Sequence, residues 1–309
     1  MEHTASSRKR LMFVIHGGRA DQPALRHLME WVRAKGHHVD PRVTWEPGDG
    51  VRFASEGARL EMDAVVAIGG DGTVNEVVNG LAGGGTALGI VPLGTANDFA
   101  RQAGIPDDPD HAMDVILQRD PVLVDLGEMN GRRFLNVSSG GVGAEATADT
   151  PTQAKAALGP LAYAITGVRK IGDLAPCRAT ISAPGFEMAG EFLLFAVGNA
   201  RATGGGTTVT PRARMTDGLL DVCLVEAMPL ASFGKLMLKL RKGQHLGEDG
   251  VHYRQLPALR LHSDMDVAVN LDGEPLSAKL LEYQVLPRAL MIHVAHLPED
   301  ASAEENSRL

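Results

Sequence analysis

The feature that most constrains the fold is a change of pattern part-way along the chain. In the first 125 residues, short apolar runs alternate with segments of helical periodicity. The runs LMFVI, PALRHLMEWVRAKG and HHVDPRVTW predict strand, helix and strand, and DAVVAI, TVNEVVNGLAG and ALGIVPLG repeat that order. NDFARQAG and HAMDVILQRD predict further helices. Such alternation predicts a parallel sheet covered by helices.

After Asp125 the pattern is one of short strands separated by turn residues, which predicts an antiparallel sandwich or barrel. The strand patterns are FLNVSS, CRATIS, EFLLFAVGN, LLDVCLVE, ALRLHS, DVAVNLDG, EYQVLP and ALMIHVA. Two helical patterns interrupt them, over 151–172 and 229–243. The sequence therefore predicts an α/β nucleotide-binding domain over 1–130, a β-sandwich domain over 131–297 and a loose polar tail over 298–309.

Composition narrows the class of protein. Hydrophobic residues make up 44% and charged residues 22% of the chain, which indicates a soluble globular protein. The net charge of −8 argues against a nucleic-acid partner. Two cysteines without metal-ligand spacing indicate a reducing compartment. We therefore expect a cytoplasmic protein. Because no apolar run approaches the roughly 20 residues that span a bilayer, its association with the inner membrane face is expected to be transient and peripheral. The oligomeric state is left open.

The stretch AIGGDGTVNEVVNGL, residues 67–81, predicts a strand, a glycine-rich turn and a helix carrying Asn75 and Glu76 in its first turn. A helix N-terminus with glycines before it is suited to phosphate. The loop lacks the lysine of a Walker A motif, and Asn75 stands where the Rossmann pattern has a small residue. GVGAEA at 141–146 fits that pattern but lacks the later acid. The alternative is an ordinary tight turn in which Thr73 caps the helix.

A second strand, loop and helix follow in GIVPLGTANDFARQAGIP, residues 89–106. Thr95 and Asn97 are favourable cap residues, and Asp98 would lie at the positive end of the helix. We expect both loops at the carboxyl edge of one sheet, where open α/β sheets bind ligands.

GGDGTVNE at 69–76 together with PLGTANDFAR at 92–101 resembles the diacylglycerol kinase catalytic family, most closely its bacterial YegS-like lipid kinases. One departure is HGGRA at 16–20, where many members have Asn-Pro-x-Ser/Ala-Gly. Further stretches extend the resemblance over about residues 10–297: VDLG at 124–127, FLNVSSGGVGAE at 134–145, GNARATGGG at 198–206, RMTDGLLDV at 214–222 and LDGEPL at 271–276.

The resemblance implies a three-layer α/β nucleotide-binding domain followed by an antiparallel β-sandwich, with the active site in the cleft between them. It implies that Glu274 is the general base, with Asp272 beside it as the other candidate, and that Asp98 and Asp125 belong to the polar network. Magnesium, with calcium as an alternative at the same site, would be held at Arg214, Asp217 and Leu219. The residues implied to bind ATP are Thr44, Gly70, Asp71, Gly72, Thr73, Val74, Asn75, Glu76 and Thr95.

The implied activity is transfer of the γ-phosphate of ATP to a hydroxyl of a membrane lipid such as phosphatidylglycerol or diacylglycerol. Two alternatives stay open: an NAD kinase, and a non-catalytic regulator that binds lipid or nucleotide. Asp217 and Asp272, each before a glycine, could also be ordinary turn acids. The basic residues of 229–243 could contact anionic lipid, but a helix that covers the protein core is the favoured interpretation.

Overall fold

The computed structural model describes residues 8–141 and 176–300, and these divide into two compact units. Unit 1 comprises residues 8–124 and 288–300, and unit 2 comprises the described residues between 125 and 287. The predicted domain limits at 130 and 297 differ from these units, because the last stretch of chain returns to unit 1. The predicted helix over 151–172, the GVGAEA segment beyond Gly141 and residues 301–309 lie outside the described residues.

Four parallel strands form the sheet of unit 1: β1 (Arg10–His16), β2 (His38–Thr44), β3 (Ala64–Gly69) and β4 (Ala87–Pro92). Their order is β4-β3-β1-β2, as register pairs such as Val65 with Leu88 show. Every residue of β3 and β4 is buried. This is the pattern of central strands covered on both faces, which explains their continuous apolar sequences.

Five helices accompany this sheet: α1 (Pro23–Ala34), α2 (Asp49–Arg59), α3 (Asp71–Leu81), α4 (Asp98–Gln102) and α5 (Pro109–Gln118). The sequence patterns did not predict α2. Its buried face consists largely of small residues, and a Cβ on Gly57 would lie 2.5 Å from Val65 Cγ2. The helix therefore approaches β3 closely at Gly57, and Ala54 allows a similarly close approach to Gly80 of α3, so the large apolar stripe that usually identifies a helix is missing.

Unit 2 is built from antiparallel strands, in the order β11-β10-β9-β7-β12-β13, with β8 beside β9 and β12, and with β5 beside β13 and β6. Phe134, Phe192, Phe195 and Tyr283 lie in its largest apolar core. The strands are β5 (Val122–Met129), β6 (Arg132–Phe134), β7 (Val137–Gly141), β8 (Cys177–Ala183), β9 (Phe186–Gly198), β10 (Leu220–Glu226), β11 (Val251–Leu256), β12 (Ala258–Leu271) and β13 (Glu274–Ile292). The predicted fold class, α/β followed by antiparallel β, is confirmed.

Two strands are longer than the sequence predicts. ALRLHS and DVAVNLDG belong to one strand, β12, whose pairing with β13 shifts between His262 and Val267. EYQVLP and ALMIHVA belong to β13, whose last residue Ile292 pairs with Leu88 of β4 in unit 1. The chain therefore passes from unit 2 back to unit 1 along one continuous strand.

Helix α6 (Leu230–Arg241) covers a second apolar core of unit 2. Phe233, Leu236, Met237 and Leu240 are buried there against residues such as Val137, Cys223 and Val225. The favoured interpretation, that the apolar face of this helix covers the protein core, is therefore correct. No helix in the described part of the chain combines the length and apolar character needed to cross a bilayer.

Candidate active site

The carboxyl ends of the four parallel strands bring the predicted nucleotide residues of unit 1 to one edge. Thr44 at the end of β2 pairs with His16 at the end of β1, and Gly69 at the end of β3 pairs with Pro92 at the end of β4. Both glycine-rich loops leave the sheet at this edge, as the sequence predicts. An edge of this kind is the usual ligand site of an open α/β sheet.

Helix α3 begins three residues earlier than it would if Thr73 were its N-cap. Its first residue is Asp71, its N-cap is Gly70, and no side chain caps it, so Thr73 is not the cap. Asn75 and Glu76 consequently lie in the second turn, which corrects the prediction that they belong to the first. The first-turn N–H groups lack partners within the helix and carry its positive dipole end.

Gly72, in that first turn, faces open space. It is exposed, and a Cβ added there would meet no other residue within 4 Å. Gly70 is different, because the second loop packs directly against it. A Cβ on Gly94 would lie 2.5 Å from the Cα of Gly70. The two loops thus touch backbone to backbone, which requires glycine at both positions.

Asp71 ties the two loops together. Its carboxylate accepts hydrogen bonds from the backbone N–H groups of Asn97, at 3.1 Å, and Asp98, at 2.8 Å. It thereby caps α4, whose own N-cap residue, Asn97, makes no side-chain cap bond. The Asn97 side chain instead accepts from Gly94 N–H at 3.0 Å. Burial raises the pKa of Asp71, and the two N–H donors act against that rise.

The remaining residues of the first loop are mostly engaged inside the protein. Glu76 accepts from the backbone N–H groups of Gly48, at 2.9 Å, and Gly50, at 2.8 Å, and so orders the start of α2. Thr73, Val74 and Asn75 are buried. Among the predicted phosphate contacts, Gly72 therefore has the open position, and Glu76 is a brace between two helices.

Thr44 lies against the atypical first loop. Its hydroxyl accepts from Gly17 N–H at 3.3 Å, and residues Gly17–Arg19 form a 3-10 turn. In the second loop Thr95 is exposed, and its carbonyl accepts from the guanidinium of Arg101 at 3.1 Å. Arg101 thus brings a positive charge to loops that contain no lysine.

In unit 2, Asp272 is a structural anchor. Asp272 and Gly273 form the two-residue turn between β12 and β13, with φ of +48° and +97°, as a type I′ hairpin requires. The buried Asp272 carboxylate accepts from three successive backbone N–H groups, at 2.6, 3.1 and 3.0 Å. The donors are Leu135, Asn136 and Val137. With both oxygens occupied in this way, Asp272 is poorly suited to accept a proton from a substrate.

Glu274, two residues further on, has the properties that Asp272 lacks. It is the first residue of β13, its side chain is 38% exposed, and its carboxylate lies 3.7 Å from Arg132 Nη1. A partly exposed carboxylate is accessible to a substrate hydroxyl, as a general base needs to be. Of the two candidate bases predicted from the sequence, Glu274 has the more exposed carboxylate.

The predicted magnesium residues surround a tight turn in unit 2. Asp217 Oδ1 accepts from Leu219 N–H at 3.1 Å, and Asp125 accepts from Gly218 N–H at 2.8 Å. Partial desolvation and the charge of Asp125 raise the pKa of Asp217. A bound cation would relieve that repulsion, and a carboxylate with main-chain carbonyls is an acceptable oxygen donor set for magnesium. Across residues 8–141 and 176–300, no three His, Cys, Asp or Glu side chains cluster as metal ligands would.

Comparison with known proteins decides the family. Residues 10–129 match the diacylglycerol kinase catalytic domain, and residues 136–294 match the YegS C-terminal NAD kinase beta sandwich-like domain. A protein of Pseudomonas aeruginosa named "Probable lipid kinase YegS-like" is 40% identical over 288 residues, which cover 92% of this chain and 94% of that protein. This chain belongs to the YegS-like lipid kinase family.

Other relatives agree with this assignment. A Chromohalobacter salexigens protein with the same name is 38% identical over 285 residues, which cover 90% of this chain and 91% of its own. Among solved structures, "A putative diacylglycerol kinase from Bacillus anthracis str. Sterne" superposes with a TM-score of 0.77 at 26% identity. The match covers 93% of this chain and 97% of that one. The resemblance that the sequence motifs indicated is confirmed.

In this member of the lipid kinase family, two polar groups near the predicted site residues were not predicted from the sequence. Arg101 ends the PLGTANDFAR motif, so its position in the motif was the available signal. Asp221 is fully buried on β10, where it accepts from Tyr253 Oη at 2.6 Å. Burial raises the pKa of Asp221 to about 6. Its signal was an acid within the apolar run LLDVCLVE, close to Asp217 in the same motif.

Proposed function

We propose that this protein is an ATP- and magnesium-dependent lipid kinase that transfers the γ-phosphate to a hydroxyl of a membrane lipid. The observation that carries the proposal is the pair of glycine-rich loops in unit 1, held together by Gly70, Gly94 and Asp71. Phosphoryl transfer requires positioning and charge neutralisation more than covalent chemistry. The family membership supplies the lipid as the class of acceptor.

ATP is proposed to bind with its phosphates above the first turn of α3. The open space at Gly72 leaves the N–H groups of that turn accessible to phosphate oxygens. Thr44 and Thr95 flank this position at the same edge. The charge that a Walker lysine would supply is proposed to come from the helix dipole and Arg101 together with magnesium.

Magnesium is proposed to be held by the Asp217 carboxylate and the main-chain carbonyls of Arg214 and Leu219, with calcium as an alternative. When bound, it would supply charge neutralisation to the phosphates. Asp125 orients this turn by accepting from Gly218 N–H. Its negative charge also favours a cation beside Asp217.

Glu274 is proposed to accept the proton of the lipid hydroxyl. Its carboxylate is partly exposed and therefore accessible to an acceptor hydroxyl, whereas the buried carboxylate of Asp272 accepts from three backbone donors. Arg132 then acts as a positioning residue through its contact with Glu274. The acceptor is proposed to be phosphatidylglycerol or a diacylglycerol-like lipid, among hydroxyl lipids that also include sphingosine and ceramide.

Contact with the membrane is proposed to be peripheral and to involve the outer face of α6. Leu238 is 59% and Leu230 52% exposed there, and Lys235 and Lys242 lie on the same outward side as Leu238. Exposed leucines among lysines are suited to an anionic lipid surface. Lys239 contributes less, because it pairs with Glu248 at 2.7 Å.

The test is transfer of labelled γ-phosphate from ATP by the purified protein, with a panel of hydroxyl lipids, NAD and water as acceptors. The proposal expects label in at least one lipid and none in NAD. Label in NAD alone would favour the NAD kinase alternative. ATP binding without label in any acceptor would favour the non-catalytic regulator.

A further inference from the structure

Trp45 is exposed to an extent that packing does not explain. Its exposed fraction is 85%, the largest among the large hydrophobic side chains of the described residues. An exposed indole gains none of the favourable free energy that burial of its large apolar surface would provide. In a rigid part of a protein, such a side chain is more typical of a contact with another molecule.

The backbone that carries Trp45 is held firmly. The nearly buried carboxylate of Asp49 accepts from Trp45 N–H at 2.8 Å and from Glu46 N–H at 3.2 Å. Arg52 donates to the other oxygen of Asp49 at 2.6 Å. The turn that ends at Gly48 is fixed in addition by Glu76 of the first glycine-rich loop. Glu76, in the helix that follows the phosphate loop, therefore helps to hold the turn after β2.

Trp45 also lies level with the proposed phosphate site. Thr44 pairs with His16 on one side of β1, and a Cβ on Gly69 would lie 3.2 Å from the His16 Cβ on the other side. Trp45 directly follows Thr44 at the end of β2, and Gly70 directly follows Gly69 at the end of β3. Two strand spacings, about 10 Å, separate Thr44 from Gly69, the residues that precede Trp45 and Gly70. A ribose with its phosphate linkage is of comparable length, and the intervening first loop begins with two glycines at 17 and 18.

We infer that Trp45 is the surface on which the purine base of the nucleotide stacks. The inference rests on the proposed function, since it assumes that a nucleoside triphosphate binds at this edge. An indole offers the large, flat π-face that base stacking uses. Stacking does not distinguish adenine from guanine, so ATP and GTP should bind with similar affinity and CTP more weakly.

The test uses the full chain with Trp31 replaced by phenylalanine, which leaves Trp45 as its only tryptophan. Magnesium-ATP should quench the fluorescence of this protein saturably. Magnesium tripolyphosphate, which lacks the base, should compete for the site in calorimetry without quenching Trp45. The Trp45→Leu variant should bind ATP about 5- to 150-fold more weakly, the range expected for one stacked base. Its affinity for tripolyphosphate should be unchanged.

Two further variants sharpen the test. Trp45→Phe should retain part of the ATP affinity because it keeps an aromatic face. Leu60→Ala removes another exposed apolar side chain of unit 1 and should change nothing. Wild-type ATP affinity in Trp45→Leu would overturn base stacking while the proposed function stands. If the wild-type protein binds neither ATP nor tripolyphosphate, the inference and the proposed function are both overturned.

Discussion

Replacement of Gly72 by alanine separates phosphate binding from folding more cleanly than any other change in the first loop. A Cβ at Gly72 meets no other residue within 4 Å, whereas a Cβ at Gly70 lies 3.2 Å from Gly94 Cα. Gly70→Val should also weaken ATP binding, but it would push the two loops apart. Gly72→Ala leaves the loops in place and fills only the space proposed for phosphate.

Gly72→Ala is expected to raise the free energy of unfolding and to lower the affinity for ATP. Glycine to alanine at a helical position stabilises by about 0.5–1 kcal/mol, since the unfolded chain loses freedom. Displacing a phosphate oxygen from a backbone N–H forfeits a hydrogen bond to a charged group, about 1.5–3 kcal/mol. The variant should therefore be slightly more stable and bind ATP about 10- to 150-fold more weakly.

The assay is calorimetric titration with magnesium-ATP, alongside urea unfolding. Gly234→Ala is the matched control, since Gly234 is also an exposed helical glycine whose added Cβ meets no other residue. It should gain similar stability without any change in ATP affinity. If Gly72→Ala is stabilised and still binds ATP as the wild type does, the phosphates do not lie against this turn.

Three further predictions concern the metal, the membrane and pH. Asp217→Ala should raise the magnesium concentration needed for half-maximal activity, and a titration that overlaps the wild type would contradict the site. Changing Lys235 and Lys242 to glutamate should weaken binding to anionic vesicles by about 1 kcal/mol for each lysine lost, with neutral vesicles as the control. Burial, and to a smaller extent the charge of Lys9, lowers the pKa of His293 to about 4 in the folded protein. The neutral imidazole is therefore favoured in the fold, and its contribution to the free energy of unfolding is complete above pH 6.5. That contribution is lost as pH falls towards 4, because the unfolded chain binds the proton first. Between pH 7 and 4 the wild type should lose up to about 3 kcal/mol of unfolding free energy relative to His293→Gln, and equal pH profiles in urea unfolding would contradict this.

The sequence predicted those parts of the fold that local pattern determines. Strands such as Ala64–Gly69 and Ala87–Pro92 are continuous apolar runs, and the amphipathic α1 buries Leu25, Leu28 and Val32. Helix α2 was missed because its close approach to β3 demands small residues, which carry no periodic signal. The long strand β12 was divided into two because its pairing shifts in mid-course.

The candidate site was predictable where motif residues act locally and less so where they act at a distance. The two loops at one sheet edge followed from chain order alone. The bonds of Asp71 to the second loop join residues 26 and 27 positions apart, and those of Asp272 span 135 to 137 positions. Such partners depend on tertiary packing, which no spacing within a motif reveals. The sequence therefore predicts Asp272 beside Glu274 as a candidate base, but it does not reveal the three backbone N–H groups that the Asp272 carboxylate accepts from.

The proposed role of Glu274 is tested by single-turnover transfer of labelled γ-phosphate to lipid, compared between the wild type and Glu274→Gln at saturating ATP. General-base assistance contributes about 10²–10⁴-fold, so the variant should transfer phosphate slower by that factor while its ATP affinity is unchanged. Glutamine preserves the shape of the side chain, and circular dichroism checks that the variant is folded. Asp272→Asn is expected to lose stability instead, because its backbone donors lose a charged acceptor. Equal single-turnover rates for the wild type and Glu274→Gln, with chemistry shown to be rate-limiting, would show that Glu274 is not the general base.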